Sequence, residues 1–378
     1  MSGTGHESAR GPQASEASEA DVAYMRRALE LALRGLTSTD PNPRVGCVVV
    51  KAGRIVGEGW HERAGGPHAE VQALRAAGAE AQGATVYVSL EPCAHTGRTP
   101  PCTQALVAAR VRRVVYASDD PNPLVNGAGA QALRAAGVQV SAGVLAQQAG
   151  AINPGFFKRM RTGLPWVRIK LAASLDGRTA LANGESRWIS GEAARADVQR
   201  FRARSSAILT GSGTVLADDP ALTVRIDAVE RAPLRVVLDG ALRVSATARV
   251  FAGEGAAMVF TASSDSARRA ELERRGVRVE SVARGSDGAL ALEPVLRRLG
   301  QLQANEIWVE AGARLSGALL RAQLVDELIV YLAPLLLGPA ARPLLELPQI
   351  ASLSEAARLQ FTDCTRIGED WRLTARPN

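Results

Sequence analysis

His68-Ala69-Glu70, Glu91-Pro92-Cys93 and Pro101-Cys102 follow one another in the order imidazole, carboxylate, thiol, thiol. One imidazole nitrogen and two thiolates make a soft three-donor set that suits Zn2+ and leaves a fourth tetrahedral position open. An open position belongs to catalytic zinc, where bound water has its pKa lowered to about 7 and a nearby carboxylate that is not a ligand carries protons to a leaving group. Glu70 is that carboxylate, and His68, Cys93 and Cys102 are the ligands. Taken singly, a His-x-Glu pair on a solvated face and two buried thiols would carry no chemistry. Their order and spacing make the metal reading.

The pattern matches the signature of zinc nucleobase deaminases, His-x-Glu followed by Pro-Cys-x-x-Cys, except that eight residues rather than two separate Cys93 from Cys102. The insert, Ala94-His95-Thr96-Gly97-Arg98-Thr99-Pro100-Pro101, offers hydroxyls, an Arg and a His that can reach a phosphate or a sugar, which points to substrate recognition. Upstream, Asn42 in Pro41-Asn42-Pro43-Arg44 either reads the edge of a heterocycle or simply initiates a turn. His61, ahead of Gly65-Gly66-Pro67, is either a pocket donor or a solvent-facing ring.

These residues need a scaffold, and the hydrophobic pattern supplies one. Apolar residues at helical spacing predict a helix over Asp21–Arg34 with Asp21 as cap, and β-branched runs predict strands at Val45–Val50, Thr85–Ser89 and Val111–Ala117. Ala-rich helices at His68–Ala77 and Thr103–Ala109 separate them, and a helix (Gly129–Ala136) and a strand (Val138–Ala142) follow, giving an α/β sandwich unit. A boundary is expected near Leu164. A second alternating series has strands at Trp166–Ala172, Ala207–Thr210, Arg235–Asp239, Ala257–Thr261, Val277–Val282, Glu306–Glu310, Glu327–Leu332 and near Trp371–Thr374. Its helices are Ser190–Ala203, Leu292–Leu299 and Ala313–Ala322.

At 378 residues, with 46% hydrophobic and 22% charged residues, the chain has room for two or three globular domains and is not wholesale disordered. Residues 1–20 read as a Ser/Gly/Ala/Glu tail without the apolar core of a secretory signal, and no apolar run is long enough to span a membrane, so a cytoplasmic protein is expected. Four cysteines cannot make a disulfide framework in a chain of this length. The net charge of +7 is almost all arginine: Lys51, Lys158 and Lys170 are the only lysines among 45 basic residues. Scattered arginines and 4% aromatics offer little to stack bases on, so a phosphorylated small molecule is expected rather than nucleic acid.

Asn42-Pro43, Gly57-Glu58-Gly59-Trp60-His61, His68-Ala69-Glu70 and the run Glu91–Cys102 together resemble the deaminase half of the bifunctional riboflavin biosynthesis protein family. Lys170-Leu171-Ala172-Ala173-Ser174-Leu175-Asp176-Gly177-Arg178, Gly184–Ser190 and Gly213–Arg225 resemble its reductase half, in the same order. The resemblance runs from about Asp21 to the end. It implies a cytidine-deaminase-like α/β/α domain over residues 21–164 and a dihydrofolate-reductase-like α/β domain over 165–378. It also implies hydrolytic deamination of 2,5-diamino-6-(5-phosphoribosylamino)pyrimidin-4-one, NADPH-dependent reduction of its ribosyl to a ribityl group, and a homo-oligomer formed through the reductase domain.

Hydride transfer needs a nicotinamide held against the substrate carbon, a proton source and anchors for two phosphorylated molecules. Arg202 and Arg225 can grip a phosphate bidentately. The segment Glu310–Ala318 leaves a strand and opens a helix, a place where backbone N–H groups hold phosphate or where Gly merely permits a tight turn. No Gly-x-Gly-x-x-Gly fingerprint is present, so this is not a Rossmann domain. By resemblance Ala172, Trp188, Thr214, Asp218 and Gly312, Ala313, Arg314, Leu315, Ser316, Gly317 and Ala318 contact NADP, and Ser186, Arg202, Leu222, Arg225 and Glu310 contact the substrate, as Asn42 and His61 do in the first half. Trp188 and Leu222 are also readable as core. Lys170, a lysine in an arginine-rich chain, either orients or protonates the opening sugar or is a snorkelling strand-end residue. Gly240 stands where many relatives have Ser, and Ala173 and Ala311 where they often have Gly. Two rival readings are a tRNA or nucleoside deaminase with an accessory NADP-binding domain and a zinc-stabilised sensor of flavin precursors. The fused second domain argues against the first, the intact Glu70 against the second.

Overall fold

Strand residues that alternate between two apolar faces build the first half as a three-layer sandwich. The computed structural model describes residues 18–96, 100–122, 125–226 and 231–378; the tail up to residue 17 and Gly97, Arg98 and Thr99 of the inter-cysteine insert lie outside them. The first elements are α1 (Glu19–Leu33), β1 (Gly46–Lys51), β2 (Arg54–Trp60), α2 (Ala69–Ala77), β3 (Thr85–Val88), α3 (Cys102–Ala108), β4 (Arg113–Tyr116), α4 (Ala128–Ala135), β5 (Gln139–Ala142), α5 (Ala146–Ile152) and α6 (Pro154–Thr162). The sheet order is β2-β1-β3-β4-β5, with β1 antiparallel to both neighbours and β3, β4 and β5 parallel. Val48, Val50 and Val115 turn to one face and pack with Met25, Leu29 and Ala149 of α1 and α5. Cys47, Val49 and Val86 turn to the other and pack with Ala73, Leu106 and Leu133 of α2, α3 and α4.

The second half contains β6 (Trp166–Ser174), β7 (Arg178–Ala180), α7 (Glu192–Arg204), β8 (Ala207–Gly211), α8 (Ser212–Asp218), β9 (Leu234–Leu238), β10 (Ala257–Thr261), α9 (Ser266–Arg274), β11 (Arg278–Ser281), α10 (Leu292–Gln301), β12 (Glu306–Glu310), α11 (Ala313–Arg321), β13 (Glu327–Ala333), β14 (Arg342–Pro343), β15 (Leu359–Ile367) and β16 (Asp370–Pro377). A nine-stranded sheet runs β11-β10-β9-β8-β12-β6-β13-β16-β15, parallel as far as β13 and closed by the antiparallel pair β16 and β15. The strand order reverses where β12 inserts between β8 and β6. In open parallel sheets such a reversal opens a crevice at the carboxyl ends of the strands.

Most expected elements form within two residues of their predicted ends. Three differences have physical causes. Ser18, not Asp21, caps α1; Asp21 is buried and accepts hydrogen bonds from Tyr87 Oη (2.7 Å) and Arg113 (3.0 Å). β2 escapes the pattern because Gly57 and Gly59 occupy the face that should be apolar. α9 escapes it because it is mostly charged and buries only Leu272. No helix among the described residues is long and apolar enough to cross a membrane.

The halves meet at a buried charge cluster. Glu306, at the start of β12, accepts from Arg44 Nη1 of the first half (2.6 Å) and from Arg168 of β6, and lies 3.5 Å from Arg204 Nη2 of α7. Arg168 also bonds Glu327 (2.5 Å). Burial alone would raise the Glu306 carboxyl, but Arg44, Arg168 and Arg204 together hold it well below the usual carboxylate range. Around this cluster Arg44 N donates to Asn153 Oδ1 (2.8 Å), and Asp40 accepts from Ser206 Oγ (2.8 Å) and Asn305 Nδ2 (3.0 Å). Removing one member of such a cluster strands the others, at a cost of about 3–5 kcal/mol. Glu306→Leu should therefore lower the thermal transition by roughly 6–20 °C at about 2–4 °C per kcal/mol. Glu293→Leu, which breaks an exposed pair with Arg297, should leave it unchanged in the same calorimetric scan.

Candidate active sites

Two close backbone approaches fix the first site. A Cβ on Gly57 would meet Ala73 O at 2.2 Å, and one on Gly59 would meet Ala73 N at 2.5 Å and Ala69 O at 2.6 Å, so β2 can lie directly against α2 only because both residues are glycine. That contact sets the start of α2, where His68 is the cap residue and Glu70 stands in the first turn. Cys102 opens α3, and Cys93 stands in the loop between β3 and α3. Glu91 holds that loop: its buried carboxylate accepts from the backbone N–H groups of Gly127 (2.9 Å), Gly129 (3.0 Å) and Ala130 (3.1 Å) at the start of α4.

His68, Cys93 and Cys102 bring their donor atoms within 4.8 Å of one another. His68 Nδ1 is 3.1 Å from Cys102 Sγ and 3.6 Å from Cys93 Sγ. Hydrogen bonds from Cys102 and His68 pull the Cys93 thiol down, while the same contact and burial push the Cys102 thiol up, so Cys93 is the thiol that gives up its proton first. One imidazole and two thiols at this spacing fit Zn2+ with one position to spare. Glu70 is only 3% exposed; burial raises its pKa, and the neighbouring His68 opposes the rise. A buried carboxyl beside three metal donors, and not one of them, is suited to taking a proton and returning it.

A cavity of about 280 Å3 opens in front of this cluster, and Asn42, His61, His68, Glu70 and Cys93 all line it. His61 Nδ1–H donates to Pro67 O (3.0 Å) and its Nε2 accepts from Asn42 Nδ2 (3.0 Å), and burial lowers the ring's pKa. Both ring nitrogens are thus engaged within the protein, and His61, on the cavity lining, orients Asn42. The cavity is also lined by residues the sequence reading passed over: Asp120, whose carboxyl burial pushes up to about 6, and Arg159 and Gln303. Asp120 sits in Asp119-Asp120-Pro121-Asn122, where the Asp-Pro turn hid it.

The second site lies in the crevice at the strand reversal, a cavity of about 2290 Å3. Lys170, Ala172, Ser186, Trp188, Arg202, Thr214, Asp218, Leu222, Arg225, Glu310, Gly312, Ala313, Arg314, Leu315 and Ala318 all line it. Ser316 and Gly317 do not: Ser316 is fully buried beside Ala311 O, and a Cβ on Gly317 would strike Glu346 O at 2.1 Å. Trp188 is 70% exposed with the Arg195 guanidinium 4.6 Å above its ring, so it is not core, whereas Leu222 is buried. Arg202 is not a free phosphate fork. Its Nε and Nη2 are closed on Glu310 (2.5 and 2.8 Å) and its Nη1 on Thr223 O (2.8 Å). The Arg225 guanidinium lines the crevice and has no hydrogen-bond partner among the described residues. Lys170 pairs in register with Glu310 across β6 and β12. Burial lowers the Lys170 pKa, which Glu310 opposes; burial would raise Glu310, but Arg202 and Lys170 hold it at about 2. At Gly240, where a side-chain hydroxyl is missing, Arg284 Nη2 donates to the backbone carbonyl (3.2 Å).

Residues 165–373 match the family described as RibD C-terminal domain, and residues 18–118 match the cytidine and deoxycytidylate deaminase zinc-binding region. The chain is 51% identical over 362 residues to the riboflavin biosynthesis protein RibD of Escherichia coli K12, covering 93% of this chain and 97% of that one. Among solved structures it is similar to RibD of Acinetobacter baumannii (46% identity, TM-score 0.88, 95% of this chain and 99% of that one). It is also similar to a diaminohydroxyphosphoribosylaminopyrimidine deaminase/5-amino-6-(5-phosphoribosylamino)uracil reductase of Thermotoga maritima (32% identity, TM-score 0.83, the same coverage).

Because the β2–α2 contact sets where His68 stands, Gly59→Ala should weaken zinc binding by about 10- to 100-fold, the usual cost of disturbing the support of a metal ligand. Gly150→Ala, whose Cβ would meet nothing within 4 Å, should leave it unchanged. Competition against a chromophoric chelator measures both.

Proposed function

The chain belongs to the family of bifunctional riboflavin biosynthesis proteins, and from that premise we propose how its two halves, divided near Leu164, share the work. It is a deaminase and a reductase of riboflavin biosynthesis. The substrate is 2,5-diamino-6-(5-phosphoribosylamino)pyrimidin-4-one, and the observation that carries the reading is the junction of an open three-donor metal cluster beside buried Glu70 with an arginine-lined crevice in the same chain.

In the first half His68, Cys93 and Cys102 hold zinc, which when bound activates water for attack on the amino-bearing ring carbon. Asn42, held by His61, meets the edge of the pyrimidine. Glu70 takes the proton that the water gives up and passes it to the amino nitrogen, so that a C–O bond forms, the C–N bond breaks and ammonia leaves. In the second half NADPH, when bound, supplies the hydride that reduces C1′ of the opened ribosyl imine. The start of α11, with Gly312, Ala313 and Arg314, offers N–H groups and a cation to its phosphates. Thr214, Asp218, Ala172 and Trp188 border it, and Ser316 and Gly317 serve as the packed turn behind. Arg225 and Ser186 hold the substrate phosphate side, Leu222 packs against it, and Glu310 keeps Arg202 in place. Lys170 gives its proton to the ribose ring oxygen as the ring opens; burial loosens the amine's hold on that proton, against the opposing pull of Glu310. We place the protein in the cytoplasm as a homo-oligomer formed through the reductase half, where Leu353, Phe361 and Trp371 are exposed apolar residues.

Incubation with the diaminopyrimidinone ribosyl phosphate and NADPH should release ammonia and then oxidise NADPH, and a zinc chelator should stop both. Glu70→Gln should retain zinc and lose about 10²- to 10⁴-fold in ammonia release, the usual worth of a general acid–base group, while still reducing deaminated substrate supplied directly. Ammonia release that survives the substitution removes Glu70 from the mechanism. Lys170→Met should keep ammonia release and lose NADPH oxidation by about 10²-fold or more; normal reductase turnover in that variant removes the proton-donor role.

A further inference from the structure

Arg159 of α6 lines the deaminase cavity, together with Gln303 of the second half. Its Nε donates to Asn305 Oδ1 (2.7 Å). Among the described residues neither of its Nη groups has a hydrogen-bond partner, and no carboxylate lies within ion-pair distance. Arg159 is half-buried, and the fully buried arginines are treated differently: Arg44 and Arg168 are closed on Glu306, Arg202 on Glu310, and Arg235 on backbone carbonyls. The acid nearest in effect, Asp40, is already committed to Ser206 and Asn305. Asn305 is itself fully used. Its Nδ2 donates to Asp40 Oδ1 and to Pro41 O (2.9 Å), which fixes its Oδ1 toward Arg159. A neutral amide thus orients the guanidinium without cancelling its charge, and burial lowers the Arg159 pKa against only the more distant pull of Asp40.

We propose that Arg159 is the anion subsite of the deaminase pocket, receiving the phosphate at the end of the substrate's ribosyl tail, and that the reductase half completes this subsite through Asn305 and Gln303. A half-buried guanidinium held at Nε by a neutral amide keeps four N–H donors free for an anion, and its planar fork matches a phosphate monoester. With the pyrimidine at the metal cluster, the sugar phosphate must leave along the cavity, and among the described residues Arg159 is the arginine on that lining, with its Nη donors unspent. The deaminase pocket is therefore built across the junction of the halves. The inference rests on the proposed phosphorylated substrate.

The test is steady-state ammonia release by the full-length zinc-loaded enzyme, with the phosphorylated substrate and with its 5′-dephosphorylated counterpart. Arg159→Gln should raise KM for the phosphorylated compound about 10- to 100-fold, the worth of a charge-assisted contact, with kcat little changed, and should leave the dephosphorylated compound unaffected. Arg159→Lys should recover part of the loss. NADPH oxidation with deaminated substrate supplied directly reports that each variant is folded. Independently, ribose 5-phosphate should compete with substrate for deamination by the unsubstituted enzyme, and free ribose should not. Equal losses for both compounds, or no loss in either, overturn the subsite while leaving the deaminase assignment intact. An unsubstituted enzyme that releases no ammonia from the phosphorylated compound overturns the assignment and the subsite with it.

Discussion

One carboxylate organises the meeting of the two halves. Glu306 is nearly inaccessible to water, and a lone charge in such a place would be untenable; three guanidinium groups drawn from β6, α7 and the Pro41–Arg44 segment make it tenable. The attraction is mutual, since Arg44 and Arg204 would be equally untenable without it. The segment that carries Arg44 also carries Asn42, which lines the deaminase cavity. The interdomain charge cluster and a residue of the first site's lining are thus two residues apart on one stiff, Pro-bounded stretch. The neighbouring amide of Asn305 ties the same stretch to the second half from the other side.

The two sites use contrasting physics. In the first, helix starts and a capped loop bring four side chains to a small enclosure, and glycines set the distances by allowing backbone to touch backbone. In the second, a parallel sheet reverses its order and leaves a wide crevice whose walls are arginine, glycine and loop. The small site suits a flat ring and a water. The large one suits two extended molecules side by side.

The chemistry of the first site was legible in the sequence because metal ligation tolerates few residue types and because its members cluster in three short motifs. The alternating fold was legible for a related reason: β-branched runs and Ala-rich stretches differ strongly in composition. What stayed hidden depended on partners far along the chain. Nothing near Arg202 announces that Glu310 will occupy its fork, and nothing near His61 announces that Asn42 and Pro67 will take both of its nitrogens. Trp188 looked as much like core as like ligand, since exposure is a tertiary property. β2 was invisible because its two glycines serve α2 rather than their own strand, and α9 because a charged surface helix carries almost no apolar stripe. Arg159 was one arginine among many until its lack of a carboxylate could be seen.

β12 carries Glu306, Trp308 and Glu310 at alternate positions, so all three face α7: Arg204 meets the first, Phe201 stacks on the second at 4.8 Å and Arg202 closes on the third. The intervening Ile307 and Val309 fill the opposite core. In genetic terms this strand is shared property. Two chains, each inactivated in a different half, complement one another when every lesion stays within its own half. A lesion in β12 falls between the two groups, because Glu306 at one end of the strand anchors Arg44 of the first half and Glu310 at the other lines the crevice of the second.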